Sequence, residues 1–212
     1  MVMRFALSSA LTALSAAFLF AVVLHAAESR WRPQRADAYE AKQKQGDVTV
    51  AIKSYHADAQ AEEALGKRNP YDYGFLPVLV VITNDGEQAI NIEDLQVRYV
   101  AGRNEGLESI PGRDLQTWNP KGNQPRPKPR YIPNVPGLSR PKVKKGPLAQ
   151  DEIVNNEFQA PIVPPGASEA GFFYFDAADK GDPLAGASIY ISGLRNMSTG
   201  QELFYFEIPF RQ

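Results

Sequence analysis

"FLPVLVVITNDG", residues 75–86, is the stretch whose reading decides the fold. Val78 to Ile82 is apolar at every position, so both faces of this segment must be covered by other parts of the chain. A run this short and this rich in valine predicts a central strand. Asn84-Asp85-Gly86 follows, residue types that adopt the positive backbone angles of a tight turn, and the strand is expected to end in a hairpin. "AINIEDLQVRYV", residues 89–100, returns from that turn with Leu95, Val97 and Tyr99 as its inward set and Glu93-Asp94 as a bulge or kink.

The pattern continues on both sides. From Asp47, Val48, Val50 and Ile52 share one face while Thr49, Ala51 and Lys53 share the other, the alternation of a half-buried strand. Ala57 to Leu65 reads as a short helix with Asp58 as its N-cap and Gly66 at its end. Leu107 to Ile110 is a weaker strand closed by Pro111-Gly112, and Glu157 to Val163 another, running into Pro164-Pro165-Gly166. "EAGFFYFD", residues 169–176, places Phe173 and Phe175 on one face and Phe172 and Tyr174 on the other, and "GASIYISGL", residues 186–194, alternates through Ile189 and Ile191. In "ELFYFEIPF", residues 202–210, the expected buried face is Phe204, Phe206, Ile208 and Phe210, with Tyr205 and Glu207 outside. Seven or eight short strands and one minor helix predict an all-β chain, an antiparallel β-sandwich.

"LPVLVVITNDGEQAINIEDLQVRYV", residues 76–100, followed by "VPPGASEAGFFYFD", residues 163–176, resembles the immunoglobulin-like accessory domains of exported bacterial proteins. In those, an apolar strand ends at Asn-x-Gly and a Pro-Gly turn precedes an aromatic strand. The chain is also similar to a loose set of exported bacterial proteins that end in a Thr-Gly turn and an aromatic strand. The resemblance covers residues 47–110 and 153–212. It implies an immunoglobulin-like fold and an extracytoplasmic compartment, and its turn motifs carry no site residue.

Residues 1–27 are different in kind: Arg4 leads into Phe5–Leu24, whose polar members are serine and threonine, the pattern of a signal peptide or membrane anchor. Ala26-Ala27 makes an imperfect cleavage site. Cleaved export to the periplasm or outside is the first expectation, an uncleaved outward-facing anchor the second, and the reverse topology the last. With no cysteine in the chain, the domain must be held by its core, and a thiol nucleophile or a lipidated amino terminus is ruled out. Residues 28–46 read as a polar linker with a helix-tolerant patch from Ala36 to Lys44, and 47–212 as the sandwich domain, interrupted at about 116–152 by a basic, proline-rich insertion.

That insertion segregates the charge. Between Asp114 and Asp151 there is no acidic residue, while Lys121, Arg126, Lys128, Arg130, Arg140, Lys142, Lys144 and Lys145 contribute eight positive charges to a chain of net charge -1. Eight of the chain's 17 prolines fall in the same span, which forbids a continuous helix or central strand there. Two readings stand level. In one, the arm binds an anionic envelope polymer or a protein partner through Arg126, Lys128, Arg130, Tyr131, Arg140, Lys142, Lys144 and Lys145. In the other, it docks on its own acidic body. Nucleic acid is disfavoured because Tyr131 and Trp118 are the aromatic residues near these cations. Tyr71 and Tyr73, in "NPYDYGF", residues 69–75, make the second candidate contact surface, weighed against covering the end of the core.

No catalytic or cofactor signature stands out. Past residue 27 the single histidine is His56, at a strand end, and no nucleophile elbow, phosphate loop or dinucleotide fingerprint is present. One such histidine and no cysteine exclude a nitrogen–sulfur metal centre. Asp176, Asp179 and Asp182, every third residue in "FDAADKGDP", read as a charged turn before a calcium loop. The expectation is a non-catalytic exported binding or assembly module without a cofactor. A structural or adhesive envelope component is the alternative, and an enzyme with an unrecognised carboxylate pair the third.

Overall fold

The computed structural model of the chain describes residues 31–101, 106–120, 125–128, 146–178 and 181–211. Among them, eleven strands form three antiparallel sheets. The first has the order β1 (Lys42–Gln45), β2 (Val48–Ser54), β3 (Phe75–Asn84), β8 (Ser168–Asp176). The second runs β11 (Phe206–Pro209), β9 (Ala187–Ser192), β5 (Gln96–Ala101), β6 (Leu107–Glu108), and a small third pairs β10 (Arg195–Asn196), β4 (Ile90–Asn91) and β7 (Ile162–Val163). The class is all-β, as the strand periodicity predicts.

All ten residues of β3 are buried, and each of its faces has its own cover. Leu76, Val78, Val80 and Ile82 join Val50, Ile52 and Phe175 in one core with Val97, Tyr99, Ile189, Ile191, Phe206 and Ile208 of the second sheet. This shared core joins the two four-stranded sheets. The alternate residues Phe75 and Leu79, with Phe172 and Tyr174 of β8, are buried on the opposite face. There the cover is helical: α1 (Asp58–Leu65), α2 (Gly112–Thr117) and α3 (Asp151–Asn155). The Tyr174 hydroxyl donates to the Ile153 carbonyl at 2.8 Å, and the Phe75 ring meets the Trp118 ring edge-on at 5.1 Å.

The helical cover is joined by side chains from the far half of the sequence. Gly66, at φ 89, ends α1. Gln150 donates to the Leu65 carbonyl at 2.9 Å and Asn156 to the Ala64 carbonyl at 2.6 Å, so two last-turn carbonyls gain donors from residues 85 and 92 positions away. Asp58 is the first residue of α1 and not its cap. Ala57 occupies the N-cap without a side-chain bond, and the Asp58 carboxylate accepts from Asn69 at 3.0 Å instead.

Several expectations are corrected. The segment read as a polar linker, 28–46, supplies β1: Lys42 and Lys44 face solvent on an edge strand and Gly46, at φ 56, turns the chain into β2. Within the helix-tolerant patch, Ala36–Ala38 forms a single 3-10 turn and Lys42–Gln45 is strand. The return stretch 89–100 is divided at the Glu93-Asp94 turn, with β4 and β5 in different sheets. Pro111-Gly112 follows the Ile110 bridge, where the extended segment ends as expected, and also opens α2. Only Ile162–Val163 of the expected strand 157–163 joins a ladder, with Glu157 making an isolated bridge to Phe172. In the last strand, Phe206 and Ile208 are buried but Phe204 is 81% exposed. The turn around Ser198-Thr199-Gly200 pairs Arg195 with Glu202, and Leu203 N–H bonds the Leu194 carbonyl at 2.8 Å. Leu203 therefore packs against the core, and the ladder resumes at Phe206.

Candidate functional site

The segment read as an insertion at 116–152 has folded ends. Residues 112–117 are helical, Trp118 and Leu148 are buried, and α3 begins at Asp151. The Gly146 N–H donates to the Gln116 carbonyl at 2.7 Å, and the Gln116 side chain donates to the Gln150 carbonyl at 2.6 Å. Both ends of the basic segment are thus held side by side. The approach is close enough to require glycine: a Cβ on Gly146 would lie 1.9 Å from the Trp118 carbonyl oxygen.

Beside these ends lies the best-defined polar constellation at the root of the basic segment. The Arg126 Nε–H donates to Asp176 Oδ2 at 2.8 Å, while Nη1 and Nη2 donate to the carbonyls of Tyr73 and Gly74, each at 3.2 Å. The guanidinium carbon lies 4.3 Å from the centre of the Phe75 ring and 5.3 Å from that of Trp118. One planar cation thus meets a carboxylate, two carbonyls and two aromatic rings, the combination suited to a guanidinium and not to an ammonium. Asn69 builds the carbonyl pair locally: its side chain accepts from the Tyr71 N–H at 3.0 Å and starts the 3-10 turn Pro70–Tyr73, which ends at Gly74 in the left-handed region, φ 77. A Cβ on Gly74 would lie 3.2 Å from Arg126 Nη2 and 2.9 Å from Ala178 Cβ. Here too the backbone approaches its neighbour closely.

Of the residues proposed as a contact surface, this root brings Arg126 and Tyr73 together. Tyr73 gives its carbonyl to Arg126, accepts from Arg68 on its hydroxyl at 3.1 Å and meets the Trp118 ring edge-on at 6.4 Å. Tyr71 goes elsewhere, packing against the shared core and edge-on to His56 at 6.0 Å. The two tyrosines form no common platform. Lys128 is exposed. Lys121, Arg130, Tyr131, Arg140, Lys142, Lys144 and Lys145 lie outside the described residues. Reading from sequence missed Phe75, Trp118 and Asp176 as partners of the arm, since nothing in their spacing links them to Arg126.

Other constellations are already engaged. Asp176 is held by Arg126, and Asp182 accepts from the Leu184 and Ala185 N–H groups at 2.9 and 3.2 Å, closing its own turn; Asp179 lies outside the described residues. Among the described residues no group of three or more metal-ligating side chains is found. A cleft of about 690 Å³ is lined by Tyr39, Lys53, Ser54, His56, Asp182 and Arg211. In it the Ser54 hydroxyl lies 3.1 Å from His56 Nδ1, a contact between residues two apart at the end of β2. A second groove, of about 380 Å³, holds Glu108 and Glu157. Glu108 faces Arg98 at 4.0 Å, and Glu157 accepts from the Gly112 N–H at 3.2 Å. Burial pushes the Glu157 carboxyl above its ordinary value, with Asp114 adding to the rise, against the Gly112 bond and the Arg113 charge.

No helix among the described residues is long and apolar enough to cross a membrane; Phe5–Leu24 lies outside them. Comparison with known protein families, curated proteins and solved structures finds no match.

Proposed function

We propose that this chain is an exported, non-catalytic binding or assembly module of the bacterial cell envelope, with an immunoglobulin-like sandwich as its body and the basic proline-rich arm as its contact element. Its partner is an anionic envelope polymer or an acidic protein surface. The observation that carries the reading is the joined base of the arm: Gly146 bonded to Gln116 beside the Arg126 anchor, with the remaining arm cations in a span that holds no acid. Closing a loop at its base reduces the ordering cost of binding, and clustered cations gain by releasing counterions. Export is supported by the apolar run Phe5–Leu24 behind Arg4.

The alternative, an arm docked on its own body, is favoured by one observation, the Arg126–Asp176 pair. The two readings divide the arm: Arg126 roots it, and Lys128, Arg130, Arg140, Lys142, Lys144 and Lys145 face the partner. The test is to replace those six by glutamine in the full chain and measure retention on a heparin column across a salt gradient. The variant is expected to pass at salt concentrations that retain the parent, with an unchanged melting temperature. Equal retention, or a lowered melting temperature, overturns the binding role.

A further inference from the structure

Arg126 occupies a site whose parts come from distant segments: the Tyr73 and Gly74 carbonyls from the 3-10 turn before β3, Phe75 from the start of β3, Asp176 from the end of β8, and Trp118 from beyond α2. The Phe75 ring is fully buried, and the Trp118 ring is 8% exposed. The Trp118 Nε1–H is buried and finds no hydrogen-bond acceptor among the described residues. A buried indole without an acceptor among the described residues lies beside a cation that engages three of its five N–H donors there. Arg126 is itself only partly enclosed, its side chain 34% exposed, and it sits between Pro125 and Pro127, a sequence that favours extended backbone.

We propose that this is an arginine-recognition pocket, filled in the resting chain by its own Arg126, and that its ligand in trans is an arginine flanked by prolines in an extended peptide. Each part discriminates. Asp176 and the two carbonyls meet donors spread in one plane, as a guanidinium presents them, and the two rings offer faces to a flat, weakly hydrated cation; a lysine ammonium matches neither. Gly74 leaves room for the guanidinium, because a Cβ there would lie 3.2 Å from Nη2. A partner supplying Pro-Arg-Pro displaces Arg126 and releases the first limb of the arm. Arg126 is then a self-ligand that keeps the site shut, since the fraction of open sites scales the apparent affinity for any competitor. This pocket is independent of the role of the other arm cations, and its failure would leave the salt-dependent retention above untouched.

The test is calorimetric titration of the blocked peptide QPRPK, residues 124–128, into the full chain carrying Arg126→Ala. That variant is expected to bind QPRPK at least about tenfold more tightly than the parent chain does, because its site stands open. It should also prefer QPRPK to QPKPK by about tenfold or more, because a lysine lacks the planar fork. Adding Asp176→Asn should abolish the binding. If Arg126→Ala fails to fold, Arg126→Gln, which keeps length and polarity, takes its place with the same expected ranking. Equal binding by parent and variant, equal binding of the two peptides, or no binding by a folded Arg126 variant overturns the proposal.

Discussion

Gly146→Ala tests the joined base of the arm. The new Cβ would lie 1.9 Å from the Trp118 carbonyl oxygen, 2.8 Å from the carbon bearing it and 3.2 Å from the Gln116 oxygen. All three are backbone atoms, so no side-chain rotation relieves the contact, and one strand of the base must move by about 1.5 Å to restore ordinary separation. That movement sacrifices the 2.7 Å bond from Gly146 N–H to Gln116 O. Overpacking of this kind costs about 1–3 kcal/mol and the lost bond about 0.5–1.5. A total near 3 kcal/mol corresponds to a fall of roughly 6–12 °C in melting temperature for a domain of this size. Gly181→Ala is the control: its Cβ meets nothing within 4 Å, and its effect should stay within about 0.5 kcal/mol. Thermal and urea unfolding of both variants decide the matter. If Gly146→Ala melts with its control, the two ends are not held as described.

Further outcomes follow from burial and titration. Phe206→Ala, at a fully buried site, should cost about 3–5 kcal/mol in urea unfolding, and Phe204→Ser, at a site 81% exposed, less than about 0.5. Burial, with Glu157 nearby, holds the Tyr174 hydroxyl well above its ordinary 10.0. The sign is that of a group protonated more firmly in the fold: its stabilising share is whole below pH 10.0 and is lost as pH rises through the folded value. Tyr174→Phe should therefore blunt the alkaline loss of stability while costing about 1–2 kcal/mol at neutral pH through the abandoned Ile153 carbonyl. Glu157, raised above 4.5 mainly by burial, follows the same sign at lower pH. Glu157→Gln keeps an acceptor for the Gly112 N–H, and its stability relative to the parent should rise as pH climbs past 4.5 and level off above the folded value. A pH-independent difference would contradict that assignment.

The elements that could be read from sequence are those whose pattern reports burial directly. β3 and the aromatic run of β8 announce themselves by apolar residues on both faces, and β5 and β9 by alternation. β1 is hidden because Lys-Gln-Lys-Gln at a sheet edge buries nothing that hydropathy registers; only the Gly46-Asp47 pair hints at its hairpin. α2 and α3, of six and five residues, show no side-chain cap and too few turns for a helical period. Phe204 was misplaced because alternation gives the phase of a strand and not where its ladder begins. At the candidate site, charge and proline content marked the arm. The docking of Arg126 depends on Phe75, Trp118 and Asp176, brought together by tertiary packing alone.

In the proposed division of the arm one cation anchors it and the others meet an anionic partner, and the salt dependence of binding separates the two roles most directly. The fraction of full chain bound to immobilised heparin would be measured against salt concentration for the parent, for Arg126→Lys, and for the chain with glutamine at 128, 130, 140, 142, 144 and 145. Each cation that releases a counterion steepens the logarithmic salt slope by somewhat under one. The expected result is a steep slope for the parent, a slope near zero for the six-glutamine chain, and the parental slope in Arg126→Lys even if its affinity falls. A six-glutamine chain that keeps the parental slope would contradict that division.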